Sequence, residues 1–299
     1  MKDSVFIFSP SYQTYQFHQD HPFNQLRVYV TYDLLNTVGA FEPGETIAPR
    51  IATEAELALV HTGDYIKAVQ LAGAGKLPAA ESENYGLGTE DTPVFAGMHE
   101  AVSIHETGRY LFPGTGQVQE RGHGEGYGYA FNIPLDAFTE DESFLESYRT
   151  AVSEIAEFFK PDVILSQNGA DAHYYDPLTH LCTTMKIYEE IPKLAHELAH
   201  TYCNGRWIAV GGGGYDIWRV VPRAWARIWL EMKGMKPEDK MPEKWLKKWG
   251  KQASVRLPAN WSDPVDLYPS IPRKSEITEK NAQTVAKALY PIRSAKRAT

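Results

Sequence analysis

Cysteine is scarce: the chain has two, Cys182 and Cys203, in 299 residues. Two thiols cannot staple a chain of this length, which excludes a disulfide scaffold and points to a reducing compartment. No zinc-finger spacing of cysteine and histidine occurs. Positive charge is in deficit, with 30 Lys and Arg against 38 Asp and Glu and a net charge of −8, the wrong sign for a nucleic-acid binder. No apolar run approaches the ~20 residues of a membrane span. The opening stretch carries only the short run Val5 to Phe8, too little for a secretory signal. A cytoplasmic protein with no nucleic-acid or membrane partner is expected. Gly-x-Ser-x-Gly, the elbow of serine hydrolases, is absent, and neither cysteine sits in a nucleophile setting.

What is present is an ordinary hydrophobic fraction of 43%, enough for one large α/β core or two smaller ones. Val5 to Phe8 reads as a buried strand and Arg27 to Leu35 as a helix. Thr53 and Glu56 form a capping box ahead of a short helix to about Val60, and Tyr65, Ile66 and Val69 start another. Phe144, Leu145, Tyr148, Val152, Ile155 and Phe159 recur at three and four, an amphipathic helix stopped by Pro161. Val163-Ile164-Leu165 then reads as a buried parallel strand. Met185, Tyr188, Ile191, Leu194 and Leu198 mark the next helix, and Trp207 to Val210 a second buried strand. Val221, Trp225, Ile228 and Trp229 line a further helix. This alternation predicts a doubly wound, mostly parallel α/β sheet, whose ligands sit at the carboxyl ends of the strands. Residues 235–299, charged and punctuated by proline, read as a tail packed on a single domain spanning 1–299, with a last helix over Thr278 to Leu289.

Two polar loops leave those strand ends. Asn168-Gly169-Ala170-Asp171-Ala172-His173 offers a carboxylate and an imidazole, both able to bind a divalent metal; Asp171 could equally cap the next segment, and His173 be a plain loop residue. Gly211 to Gly214 lacks the Lys-Ser/Thr of a phosphate loop, but four glycines permit close backbone approach to a ligand. Tyr215 follows at the strand's mouth, where its hydroxyl could donate to a developing oxyanion or its ring could simply pack. Arg109 to Gly116 places aromatics in a turn-rich loop, suited either to walling a narrow slot or to packing. His105 and His123 read as isolated loop histidines.

Several stretches together resemble the histone deacetylase family, in particular bacterial acetoin utilization deacetylases: Asp20 to Arg27, Tyr85 to Phe95, Ile104 to Gly116, Asn168 to Pro177 and Val210 to Trp218. The resemblance implies a three-layer α/β domain of the arginase and deacetylase type, with zinc at the foot of a narrow tunnel. It implies hydrolysis of acetyl-lysine amides on a protein substrate, with an acyl-CoA synthetase as a family-level partner. Carried over by motif, Asp171 looks like a zinc-ligand carboxylate and Tyr215 like the oxyanion tyrosine. Asp91 looks like the rim carboxylate that holds the substrate backbone. Phe112 looks like a tunnel wall with Gly213 and Gly214 opposite, and Arg27 like the arginine beyond the metal. His173 is not a ligand in the family pattern.

The departure from the pattern is large. The family's tandem His pair and the Asp-x-His that supplies its other two zinc ligands fall between the segment ending at Ala101 and the strand beginning at Val102. This chain has no His-His dipeptide, and its one Asp-x-His is Asp171-Ala172-His173. Judged by length, on the order of 80 residues are absent, central strands among them. No turn residue separates Phe95 to Ala101, which reads as helix, from Val102 to Ile104, which reads as strand. Three outcomes follow: a deacetylase chain with an internal deletion and no activity of its own; a non-catalytic remnant that binds acetylated peptides or a partner; or a rebuilt hydrolase with His105, His123 or His173 joining Asp171.

Overall fold

The computed structural model describes residues 3–14, 22–87 and 116–298. The junction at Ala101–Val102 lies outside them, as do Asp91, His105 and Phe112. The chain divides into two compact units. One comprises Met1–Tyr29 and Glu42–His105, the other Val30–Phe41 and Glu106–Thr299.

In the first unit, β1 (Phe6–Ile7) and β2 (Thr46–Ile47) pair in parallel. Phe8 is buried, but Val5 and Ile7 are exposed, so the expected buried strand is buried at one residue only. The capping box is realised: Thr53 Oγ1 accepts from the Glu56 N–H at 3.3 Å, and the Glu56 carboxylate accepts from the Thr53 N–H at 2.8 Å. The helix it starts, α2 (Glu54–Leu57), is a single turn. Thr62 caps α3 (Gly63–Gly73), which buries Ile66, Ala68, Val69 and Ala72. A further turn, α4 (Ala79–Ser82), follows. The long helix α1 (Leu26–Thr37) precedes these, two residues longer at its end than the sequence reading.

The second unit carries the α/β alternation. Helix α5 (Asp141–Phe159) begins at Glu140, whose carboxylate accepts from the N–H groups of Glu142 and Ser143, and ends at Lys160 with φ 48° ahead of Pro161. Strand β3 (Ile164–Asn168) follows, then α6 (Met185–Cys203), capped by the Thr184 hydroxyl and stopped by the left-handed Asn204. Strand β4 (Trp207–Gly211) lies parallel to β3, with Ile164 opposite Trp207 and Asn168 opposite Gly211. Helix α7 (Val221–Met232) packs along α6 and is buried along most of its length, Arg223 and Arg227 included. The parallel pairing is as expected, but full burial of the strands is not. Leu165 is 65% exposed and its partner Ile208 52%, because among the described residues no layer covers that face. Both cysteines are buried and free. No described helix is long and apolar enough to cross a membrane.

The tail contributes α8 (Glu243–Trp249) and α9 (Lys274–Ala298), the latter longer at both ends than the expected helix. Helix α9 packs on α5, where buried Asn281 donates to the hydroxyls of Thr139 and Ser143 at 2.8 and 2.9 Å. Trp245 of α8 is fully buried and its indole N–H donates to the Val30 carbonyl at 3.2 Å. Loss of so large a buried ring leaves a cavity and removes the indole bond to the Val30 carbonyl. Trp245→Ala is expected to lower stability by about 3–5 kcal/mol, and Leu165→Thr, on the open strand face, to shift it by less than about 0.5 kcal/mol. Urea denaturation of the two variants compares these values directly.

Candidate functional site

The two polar loops meet at the carboxyl ends of β3 and β4, as the sequence reading places them. Asn168 ends β3, and its side-chain amide donates to the Val210 carbonyl at 3.0 Å, while its own carbonyl accepts from the Trp225 indole at 2.8 Å. One step on, the Ala170 N–H donates to the Gly213 carbonyl at 2.8 Å and ties the loops together. The glycines serve this approach. A Cβ on Gly213 would come within 1.9 Å of the Asp171 carboxylate, and one on Gly212 within 2.8 Å of the Gly169 nitrogen. The space read from the sequence as room for a ligand is thus filled, at Gly213, by Asp171 itself. Gly214, at φ +127°, adopts a backbone that a side chain would strain.

Asp171 is held from behind. The Thr179 hydroxyl donates to its carbonyl, and the buried Tyr188 hydroxyl donates to the neighbouring Ala170 carbonyl at 2.9 Å. Burial raises the Tyr188 phenol well above its ordinary value, with the nearby charges of Asp171 and Asp176 adding to the effect. The Tyr215 backbone N–H donates to Asp176 at 2.8 Å, and a second Asp176 oxygen accepts from the Leu178 N–H at 2.9 Å. Asp176 is pushed up to about 6, chiefly by burial and also by the charge of Asp171, against the pull of those N–H groups. It therefore anchors the backbone from which the Tyr215 side chain projects.

His173 is neither loop decoration nor a ligand. It is fully buried. Its Nδ1 accepts from the Tyr175 N–H at 3.1 Å, so its Nε2 carries the proton and donates to Asp263 at 2.8 Å. Asp263 also accepts from the Arg223 guanidinium at 2.8 Å and from the Met185 N–H at 2.7 Å. Burial pushes the Asp263 carboxyl up, but the His173 hydrogen bond and the Arg223 charge more than offset this and hold it well below the usual carboxylate range. Because both His173 nitrogens are engaged, the rebuilt-hydrolase reading loses that ligand. His123 is exposed.

Of the residues expected at the site, Asp171, Gly213, Gly214 and Tyr215 are brought together by the second unit. Arg27 belongs to the first unit, where it is buried with its guanidinium 4.1 Å from the centre of the Phe23 ring. A catalytic zinc takes three protein ligands. Among the described residues no group of three or more His, Cys, Asp or Glu is placed to hold a metal. The described donor set, Asp171 with His173 already engaged, does not fit a catalytic zinc.

The motif reading missed two arrangements. Asp263 and Arg223 lie 90 and 50 positions from His173, and the one signal available was an arginine amid the apolar residues of α7. The other is plain in the sequence: His196-Glu197-Leu198-Ala199-His200 has the His-Glu-x-x-His spacing. Its rings meet on α6, with Nε2 atoms 3.1 Å apart.

Removing one partner of a buried ion pair leaves the other uncompensated. Asp263→Ala is expected to cost about 3–5 kcal/mol at neutral pH. A carboxyl lowered on folding stabilises above its unfolded value of about 3.9 and loses that contribution as the pH falls. Asp176, raised on folding, acts in the opposite direction: its contribution is present below about 4 and is lost as the pH rises through about 6. It is common to both proteins, so the difference between parent and Asp263→Ala should narrow as the pH drops below 4; denaturant titrations at several pH values measure it.

Comparison with known proteins completes this picture. The histone deacetylase domain family matches residues 21–103 and 100–232, two stretches that meet at the junction where the sequence lacks its motifs. The acetoin utilization protein AcuC of Bacillus subtilis (strain 168) is 58% identical over 386 residues, covering all of both chains, against 299 residues here. AcuC of Staphylococcus xylosus is 35% identical over 372 residues, covering 95% of this chain and 97% of its own. Among solved structures, a histone deacetylase homologue from Aquifex aeolicus superposes with a TM-score of 0.75 at 22% identity, covering 94% of this chain and 100% of that one. A histone deacetylase homologue complexed with SAHA matches equally well. These likenesses establish the deacetylase-type α/β fold, and with the sequence relatives they make the chain a member of the histone deacetylase family, alongside the AcuC proteins.

Proposed function

We propose that this chain derives from a zinc-dependent deacetylase of acetyl-lysine side chains on a metabolic protein, and that at 299 residues it does not hydrolyse the amide itself. The observation that carries this is the two-part family match, broken where the tandem His pair and the second Asp-x-His belong. The residues that would polarise the carbonyl and move protons are missing, whereas one wall of the site remains. Asp171 keeps its place between Gly169 and Gly213. Tyr215 stays at the mouth of β4 with its backbone held by Asp176. An acyl-CoA synthetase fits the acetoin utilization context of the relatives as the acetylated partner, with the cytoplasm as the setting.

A hydroxyl alone, with no group to activate water, gives little acceleration of amide hydrolysis. The chain is expected to show no turnover of an acetyl-lysine peptide above the buffer blank, with or without added zinc. Insertion of the corresponding segment of the Bacillus subtilis relative between Ala101 and Val102 is expected to restore zinc-dependent turnover. Release of acetate, measured by coupled assay, reads both. Turnover by the 299-residue chain without the inserted segment, lost in Tyr215→Phe, would overturn the proposal.

A further inference from the structure

The His-Glu-x-x-His segment lies at the far end of β4 from the deacetylase loops. Trp207, the first residue of the strand, stacks against His196, with ring centres 6.0 Å apart and planes 25° apart. The Gly211–Tyr215 loop leaves the other end of that five-residue strand, about 13 Å away at the usual rise of about 3.3 Å per residue. His196 and His200, four positions apart on α6, present their rings one turn apart on the same side of the helix. Ring centres are 4.8 Å apart and the two Nε2 atoms 3.1 Å apart.

Two neighbours fix this pose. Glu231, near the end of α7, has Oε1 2.9 Å from His196 Nδ1. An ionised carboxylate only accepts, so Nδ1 carries the proton and Nε2 presents its lone pair to His200. Gly205, at φ +76°, passes so close to His200 that a Cβ there would lie 3.1 Å from Cε1. A carboxylate that accepts the Nδ1 hydrogen bond and leaves Nε2 as the acceptor is the arrangement that tunes histidine as a metal ligand. Two metal–nitrogen bonds of about 2.0–2.1 Å place their nitrogens about 2.9 Å apart at a right angle and about 3.3 Å apart at a tetrahedral angle. The observed spacing of 3.1 Å falls between the two.

We propose that His196 and His200 bind a divalent transition-metal ion between their Nε2 atoms, with Glu231 orienting His196. The ion replaces the proton that the two nitrogens share, and the His200 proton moves to Nδ1 through solvent. Imidazole donors select Ni2+, Cu2+ or Zn2+ over Mg2+ and Ca2+. The His196 side chain is 30% exposed and His200 lies at the surface, so water fills the remaining positions. With two protein donors the site is an exchangeable one. Glu197, the general base of this spacing in metalloproteases, is exposed here, and the assignment is of binding alone.

Isothermal titration of the full, chelator-dialysed chain with Ni2+ tests this. One saturable site is expected, abolished in His200→Ala, weakened about tenfold or more in Glu231→Gln and unchanged in Asp171→Asn. Circular dichroism of each variant without metal checks that the fold is retained; His200 is exposed, so its removal leaves the core intact. Absence of saturable binding, binding that survives His200→Ala, or binding lost in Asp171→Asn would overturn the site. Unchanged affinity in Glu231→Gln would overturn the role given to that carboxylate. None of these outcomes depends on deacetylase activity.

Discussion

The second unit turns on one buried carboxylate. Asp263 accepts from His173, Arg223 and the first N–H of α6, so one side chain joins the polar loop after β3, the start of α6, the side of α7 and the tail. A charge taken out of water is tolerable only when its lone pairs are met by good donors, and here three converge. The loop that carries Asp171 is thereby fixed at both ends: by Asn168 against β4 and by His173 against Asp263. Site geometry in this unit is inherited from that network rather than from the strands alone.

The same arrangement explains how the loops of Asp171 and Tyr215 are held. The elements around Asp171 and Tyr215 come from the contiguous stretch that begins at α5 and from the tail, and they satisfy one another's hydrogen bonds. The sequence holds no His-His dipeptide and no Asp-x-His besides Asp171-Ala172-His173, and among the described residues no group of three or more His, Cys, Asp or Glu is placed to hold a metal. His173 stands two residues from Asp171 but spends both nitrogens on structure. Leu165 and Ile208 stand side by side on a face of β3 and β4 that no other described layer covers.

Local signals in the sequence were dependable. The spacing of Met185, Tyr188, Ile191, Leu194 and Leu198 marks α6 because periodicity is a property of neighbours. The capping box at Thr53 is realised for the same reason, although its helix stops after one turn, where tertiary packing decides. Burial of β3 and β4 is not legible locally, since exposure of a strand depends on the layers laid over it. The glycines of 211–214 signal close approach but not what approaches; Asp171 meets Gly213 from 42 positions away in the chain. Asp263 was invisible for a like reason. Family membership was legible from several motifs in order, and the break in that order was legible too.

The most direct test of the account is the zinc content of the His200→Ala chain after equilibration with zinc and dialysis. That substitution removes the surface histidine pair, so any retained zinc reports on the deacetylase site. The account predicts far less than one zinc per chain, because among the described residues no group of three or more His, Cys, Asp or Glu is placed to hold a metal. Near one zinc per chain, lost on Asp171→Asn, would mean that a full ligand set exists and would contradict the central claim.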